Sequence, residues 1–141
     1  MRTVREVAAD VIRDRVATFE EGEDGGGRYL RLIPAAPDAC EVTVYPDYPT
    51  LCLGEEAHTT EMFGREADRL RELRELIAAV IAGRYEWEYR QVTRRLLSIP
   101  LYRFTRLVGT FHTTDGPWIF ARQGSEPAGA VKHRSYAPYR R

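Results

Sequence analysis

A broad apolar stripe at helical spacing in the middle of the chain most constrains the fold. It lies between residues 65 and 82 and consists of Ala67, Leu70, Leu73, Leu76, Ile77, Val80 and Ile81. Gly83 follows, and a glycine after a helix accepts the left-handed backbone that ends it. The sequence therefore predicts a helix over residues 65–82 with one face in a core of packed layers.

A second helix is predicted at the N-terminus. Thr3 and Glu6 have the spacing of a capping box, in which each side chain bonds a free backbone N–H group. Apolar residues then recur at helical spacing through Val16 and Phe19. We expect this helix to end near Glu20 and to be followed by a flexible acidic loop over residues 21–27.

Strands are predicted between these helices. Residues 29–33, 40–45 and 50–53 are strand-like, and the last two form a hairpin with Val42 opposite Leu53 and Val44 opposite Leu51. Cys40 then faces inward and Cys52 outward, which favours two free thiols. Residues 58–63 fit either a strand or the entry to the central helix.

After Gly83 the pattern changes to period two. Tyr85, Trp87 and Tyr89 share one strand face. Another strand is expected over residues 101–112, with a turn at Asp115-Gly116 and a return through residues 118–121. In that register Phe111 faces Phe120, Thr113 faces Trp118 and His112 pairs with Ile119.

The predicted fold is α+β, with an antiparallel sheet of about five or six strands and two helices packed on one face (order α-βββ-α-βββ). Its 43% hydrophobic and 30% charged residues are typical of a globular chain. We expect one domain over residues 1–124 and a basic, flexible tail over 125–141. The sequence starts without an apolar leader and has no run of membrane-spanning length, so a cytoplasmic protein without a membrane partner is expected.

No motif predicts catalysis. Cys52 with His58 or His112 is conceivable as a nucleophile and base, but nothing nearby in the sequence lowers the pKa of the thiol. Glu86 and Glu88 share a strand face but are bracketed by arginines, which favours ion pairs. Residues 25–27 are all glycine but precede a strand among carboxylates, unlike a phosphate loop. The three histidines lack ligand spacing, so no metal or cofactor is predicted.

Charge is distributed unevenly along the chain. Residues 1–60 carry six arginines against twelve acidic residues, and residues 61–141 carry fifteen basic residues against nine acidic ones. Arg90, Arg94, Arg95, Arg103 and Arg106 lie close together in the sequence, with aromatic residues between them. Lys132 is the only lysine and asparagine is absent, which indicates a GC-rich bacterial genome, such as an actinobacterial one.

These observations favour a small non-catalytic protein-binding domain. An immunity protein that neutralises a cognate toxin, or a secretion-type chaperone, fits the size and the charge polarity. The predicted contact residues are Trp87, Tyr89, Arg90, Trp118, Glu20, Glu21, Glu23 and Asp24.

Three alternatives remain open. One is a small-molecule-binding or enzymatic domain with a pocket between sheet and helices. Another is single-stranded nucleic-acid binding through the basic C-terminal half, although the neutral composition disfavours it. The opposite charges of the two halves also permit a homodimer.

Overall fold

A computed structural model describes residues 2–47, 50–54, 58–61, 66–123 and 133–140. In these ranges the chain forms an α+β fold, as predicted, with 2 helices and 9 strands. The elements in chain order are α1 (Arg2–Arg13), β1 (Ala17–Asp24), β2 (Gly27–Pro34), β3 (Val42–Tyr45), β4 (Thr50–Leu53), β5 (His58–Glu61), α2 (Glu66–Ile81), β6 (Tyr85–Leu96), β7 (Ile99–Thr113), β8 (Gly116–Gln123) and β9 (His133–Ser135).

The strands form two antiparallel sheets rather than one. The first has the order β1-β2-β3-β4-β5 and the second has the order β8-β7-β6-β9. Helix α2 separates them in the chain, so each group of strands pairs mainly with its sequence neighbours, as short connections favour. Both helices and both sheets contribute to one apolar core, in which Val4, Leu51, Ile77 and Phe111 are buried.

Helix α1 ends earlier than predicted. It stops at Arg13, and Arg15 takes a left-handed backbone with a φ of 59° before β1 begins. Strand β1 pairs with β2 from Ala17 opposite Pro34 to Asp24 opposite Gly27. Phe19 fits a helical period and also a period-two strand, and the pairing with β2 decides between them. Thr3 lies inside α1, so it does not precede the helix as a capping residue would.

The hairpin of β3 and β4 confirms the prediction for that segment. Val42 lies opposite Leu53 and Val44 opposite Leu51. Cys40 is buried, Cys52 is half-buried, and no disulfide links them. Residues 58–61 form strand β5, whereas residues 62–65 lie outside the described ranges. Helix α2 also follows the prediction, and Gly83 after it has a φ of 70°.

The register between β7 and β8 differs from the prediction by two residues. Thr113 pairs with Gly116, so the turn consists of Thr114 and Asp115. Phe111 therefore lies opposite Trp118, and Gly109 lies opposite Phe120. A shift of two residues leaves every side chain on its predicted face, because the side-chain period of a strand is two.

The end of the chain is docked, contrary to the expectation of a flexible tail. Strand β9 pairs with β6, with Arg134 opposite Trp87. Tyr136 and Tyr139 are buried, and the Tyr139 hydroxyl donates to the Cys40 carbonyl at 2.5 Å. The Arg140 guanidinium donates a hydrogen bond to the Asp14 carboxylate at 2.6 Å, and this hydrogen bond lowers the pKa of that carboxyl. Residues 124–132 of the expected tail lie outside the described ranges.

Candidate functional site

The structure places Cys52 and His58 on opposite faces of the first sheet. His58 lies opposite Leu53, whereas Cys52 lies opposite Thr59, so their side chains alternate in direction. The His58 ring packs edge-on against Trp87, with centroids 4.7 Å apart, and is 2% exposed. Burial raises the pKa of the Cys52 thiol, which favours the unreactive protonated form. These residues therefore do not form a nucleophile and base.

Other polar groups considered in the sequence are paired with neighbours. Glu86 lies 3.7 Å from His112 and 3.9 Å from His133, and Glu88 pairs with Arg90. In the described ranges, no three His, Cys, Asp or Glu side chains are grouped to hold a metal ion. No described helix has the length and apolar character to cross a bilayer.

A shallow pocket of about 290 Å³ lies between residues 33–41 and Tyr136. Glu41 and the buried Tyr136 contribute its polar side chains, while Ile33, Pro34 and Ala36 contribute apolar surface. Cys52 and the histidines do not line it. This pocket therefore does not bring together Cys52 and a histidine, the pair considered from the sequence as a nucleophile and base.

The aromatic contact candidates are less exposed than predicted. Trp87 is 1% exposed, and its indole N–H donates to the Tyr136 hydroxyl at 3.1 Å, so Trp87 is a core residue rather than a surface contact. Tyr89 is half-buried, with its hydroxyl 3.4 Å from His58. Trp118 is half-buried and donates to Glu72 at 3.3 Å, whereas Arg90 is exposed.

The acidic candidates lie on strand β1 rather than in a loop. Glu20 accepts a hydrogen bond from Tyr29 at 2.9 Å and lies 3.5 Å from Arg31. Glu21 pairs with Arg5, and Asp24 accepts from Tyr45 at 2.9 Å. Three of the four carboxylates are thus engaged within the molecule, and the fourth, Glu23, is exposed.

The most prominent surface element is a long β-ribbon. Strands β6 and β7 pair from Tyr85 opposite Phe111 to Leu96 opposite Ile99, whereas the pairing of β8 ends at Arg106 and that of β9 at Glu88. Residues 91–105 therefore project without a neighbouring strand in the described ranges. Six residues of strand reach roughly 20 Å. We name residues 91–105 the interaction arm.

The end of the interaction arm is apolar and exposed. Leu96 is 61% exposed, Leu97 89%, Ile99 64% and Leu101 58%. Leu97 and Ser98 form the turn, with φ values of 49° and 70°. Single exposed leucines are ordinary, whereas four large aliphatic side chains exposed together at one projecting tip form a candidate interaction site. We name these four residues the apolar tip.

Arginines lie where the interaction arm begins and along its strands. Arg90 pairs with Arg106 across the ribbon, and Val92 pairs with Phe104 beyond them. Like charges opposite each other weaken a strand pair, and among the described residues Glu88 forms an ion pair with Arg90. Arg94 and Arg95 are exposed and have no carboxylate partner within the described part of the chain. The sequence contains no acidic residue from 89 to 114, so the arm is strongly basic.

A groove of opposite charge lies at the other end of β7. It measures about 400 Å³ and is lined by Arg71, Glu72, Glu75, Leu76, Thr113, Asp115 and Trp118. Glu72 accepts from Trp118, and Glu75 accepts from Thr114 at 3.0 Å. Arg71 lies 3.3 Å from Asp68 on the same helix. We name this site the acidic groove.

Sequence reasoning found the arginines of the arm but missed its apolar tip. The available signal was the run Leu96-Leu97-Ser98-Ile99-Pro100-Leu101, which has aliphatic residues on both sides of a possible turn. An aliphatic run between two strands is equally typical of core, so the pattern alone could not distinguish the two. The acidic groove joins residues from α2 and the β7–β8 turn, which sequence spacing does not connect.

Comparisons with protein-family models, curated proteins and solved structures find no match.

Proposed function

We propose that this chain is a non-catalytic protein-binding domain of the bacterial cytoplasm, and that the interaction arm is its contact element. The observation that supports this proposal most directly is the apolar tip, held roughly 20 Å beyond the flanking strands. Covering such side chains with a partner removes apolar surface from water, which is the main driving force for association. An immunity protein or a secretion-type chaperone acts by occupying a partner's surface in this way.

The arginines give the arm a second role in recognition. Exposed charges steer an oppositely charged partner towards the site and raise the association rate, whereas the buried apolar contact sets the lifetime of the complex. The expected partner therefore has an apolar recess with acidic groups near it. Trp87 and most of the acidic residues of β1 are not part of this proposed contact surface, since they are buried or paired.

Nucleic-acid binding is the second candidate, and the Arg90–Arg106 pair favours it. A two-stranded ribbon fits the major groove of DNA, and arginines on one face can contact phosphates. The four aliphatic side chains of the tip have no role in that mode of binding beyond a wedge of one or two residues. The tip therefore favours a protein partner.

The test is affinity capture from the native host at low salt with wild type and Leu97→Asp. The matched control is Ile119→Asp, which places the same charge on a residue that is 58% exposed but lies on β8. A stoichiometric protein retained by wild type and by the control, and lost with Leu97→Asp, supports the proposal once direct binding is measured with that purified protein. Equal retention by all three chains contradicts it, and retained nucleic acid favours the second candidate.

A further inference from the structure

We infer that the partner of the interaction arm is a second copy of this chain, and that the apolar tip of one copy docks in the acidic groove of the next. This inference rests on the proposed function, because it names the occupant of the same arm. The two surfaces are complementary in charge and both contain apolar side chains.

The groove offers carboxylates to an incoming cation. Glu72 and Glu75 each make one hydrogen bond in the described ranges, which leaves their second oxygens available to another chain. Asp115 adds a third carboxylate from the β7–β8 turn. The one basic residue of the lining, Arg71, is paired with Asp68. Arg94 and Arg95 lie next to the apolar tip and would meet these carboxylates when the tip enters the groove.

The groove also offers apolar surface. The indole of Trp118 lines it together with Leu76. Leu97 is the most exposed residue of the apolar tip, so its side chain would enter the groove first, and a volume of about 400 Å³ accommodates it. A guanidinium beside an indole face gains a further cation–π attraction.

Position determines which assembly this contact produces. The tip and the groove lie at opposite ends of β7, which spans 15 residues, or roughly 50 Å. One copy therefore cannot close its own arm on its own groove. A contact between two different surfaces is heterologous, and it adds copies head to tail until a ring closes or a chain forms. Arm-to-arm pairing would instead bring the arginines of two arms together.

The experiment is sedimentation velocity over a range of protein concentrations with two variants. Leu97→Asp removes the tip and keeps the groove, whereas Glu75→Arg reverses a groove charge and keeps the tip. We expect wild type to associate, and each variant alone to bind at least about tenfold more weakly, which corresponds to about 1.4 kcal/mol. Ile119→Asp and Glu23→Arg are matched controls away from both surfaces and should associate like wild type.

The decisive sample is an equimolar mixture of the two variants. The intact tip of Glu75→Arg can enter the intact groove of Leu97→Asp, so the mixture should form a 1:1 heterodimer that grows no further. Symmetric arm-to-arm pairing would give no such recovery. Far-ultraviolet circular dichroism establishes that each variant is folded, and Glu75→Gln is the milder substitute because it keeps a partner for Thr114.

Two results overturn the inference. One is a wild-type chain that remains monomeric at every concentration, and the other is a mixture that fails to recover association. If a monomeric wild type still binds another protein through Leu97, the proposed function stands and only the occupant is wrong. If it binds a DNA duplex, or vesicles of phosphatidylcholine with phosphatidylglycerol, through Leu97, both proposals fail in favour of that ligand.

Discussion

At the scale of single residues, burial decides which aromatic side chains support the fold and which remain for contacts. Trp87 packs against His58 and Tyr89, and its N–H group is satisfied by Tyr136. Tyr85 stacks on Tyr136 with centroids 5.7 Å apart. These rings hold β6 between its neighbours, so their loss should affect stability before it affects binding.

We expect Trp87→Ala to lower the free energy of unfolding by about 3 to 5 kcal/mol, because it removes a fully buried ring and leaves a cavity. Trp87→Phe should cost less, since it keeps most of the apolar contact and removes only the hydrogen bond from the indole N–H to the Tyr136 hydroxyl. Urea unfolding measures both changes. Ile119→Ala is the exposed control and should stay within about 0.5 kcal/mol of wild type. A Trp87→Ala chain as stable as wild type would contradict the placement of Trp87 in the core.

Gly109 gives a second residue-scale prediction. A Cβ atom at this position would collide with the ring of Phe120, which lies opposite on β8. Gly109→Ala should therefore destabilise the chain by about 1 to 3 kcal/mol through overpacking. Gly25→Ala is the control, because nothing lies within 4 Å of the added atom there. Equal midpoints of thermal unfolding for the two variants would show that Phe120 can move aside without cost.

At the scale of elements, the periodicity of apolar residues predicted the type of each element better than it predicted where the element ends. The apolar stripe from Ala67 to Ile81 predicted α2, and the alternation of Val42, Val44, Leu51 and Leu53 predicted the β3–β4 hairpin with its register. The predicted end of α1 was wrong because Phe19 fits a helical period and also shares a strand face with Ala17, and only the pairing with β2 selects the strand. The β7–β8 register was off by two because Asp115-Gly116 resembles a hairpin turn, whereas the turn uses Thr114 and Asp115.

The turn of the interaction arm gives a prediction for that element. Ser98 has a φ of 70°, a conformation that costs an ordinary L-residue about 1 to 2 kcal/mol and glycine very little. Ser98→Gly should therefore slow amide hydrogen exchange along residues 91–105 while leaving Leu97 in place. Ser98→Val should accelerate exchange there, because a β-branched side chain is strongly disfavoured at positive φ. Identical exchange in the two variants would mean that the turn does not control the order of the arm.

At the scale of the whole molecule, the residues that assemble the candidate sites come from distant parts of the chain. The sequence indicated a basic C-terminal half, but it could not show that β6 and β7 extend beyond β8 and β9. It also could not bring Glu72 and Glu75 beside Trp118, because that contact depends on how α2 packs on the second sheet. Local periodicity is readable from the sequence, whereas the surface left uncovered depends on tertiary packing.

Two buried tyrosines, Tyr139 in the docked segment and Tyr85 on β6, make global stability sensitive to alkaline pH. Burial raises the pKa of Tyr85 and of Tyr139 above the ordinary value of about 10. Above that value the unfolded chain releases these protons while the folded chain keeps them, so the free energy of unfolding falls as pH rises. Each tyrosine should contribute a slope of about 1.4 kcal/mol per pH unit. Below pH 9 both groups are protonated in the folded and the unfolded chain, so their titration should not make the free energy of unfolding depend on pH.

Tyr139→Phe checks that slope. The substitution should cost about 1 kcal/mol near neutral pH, because the Cys40 carbonyl loses its donor. Above pH 10 the variant should lose stability less steeply than wild type, by about 1.4 kcal/mol per pH unit. Urea midpoints at a series of pH values, measured side by side for wild type and Tyr139→Phe, report both effects. Parallel curves for wild type and Tyr139→Phe would show that Tyr139 ionises freely in the folded state.

The docking of residues 133–140 has a consequence for how the chain can be divided. Strand β9, Tyr136 and Tyr139 are held by backbone pairing, burial and hydrogen bonds, so the covalent connection to β8 supplies mainly a high local concentration of the segment. A chain cut between β8 and β9 should therefore keep its shape for as long as the two pieces stay together. A synthetic peptide of that segment, added in excess to a shortened chain, should act as a removable ligand whose concentration sets how stable the remainder is.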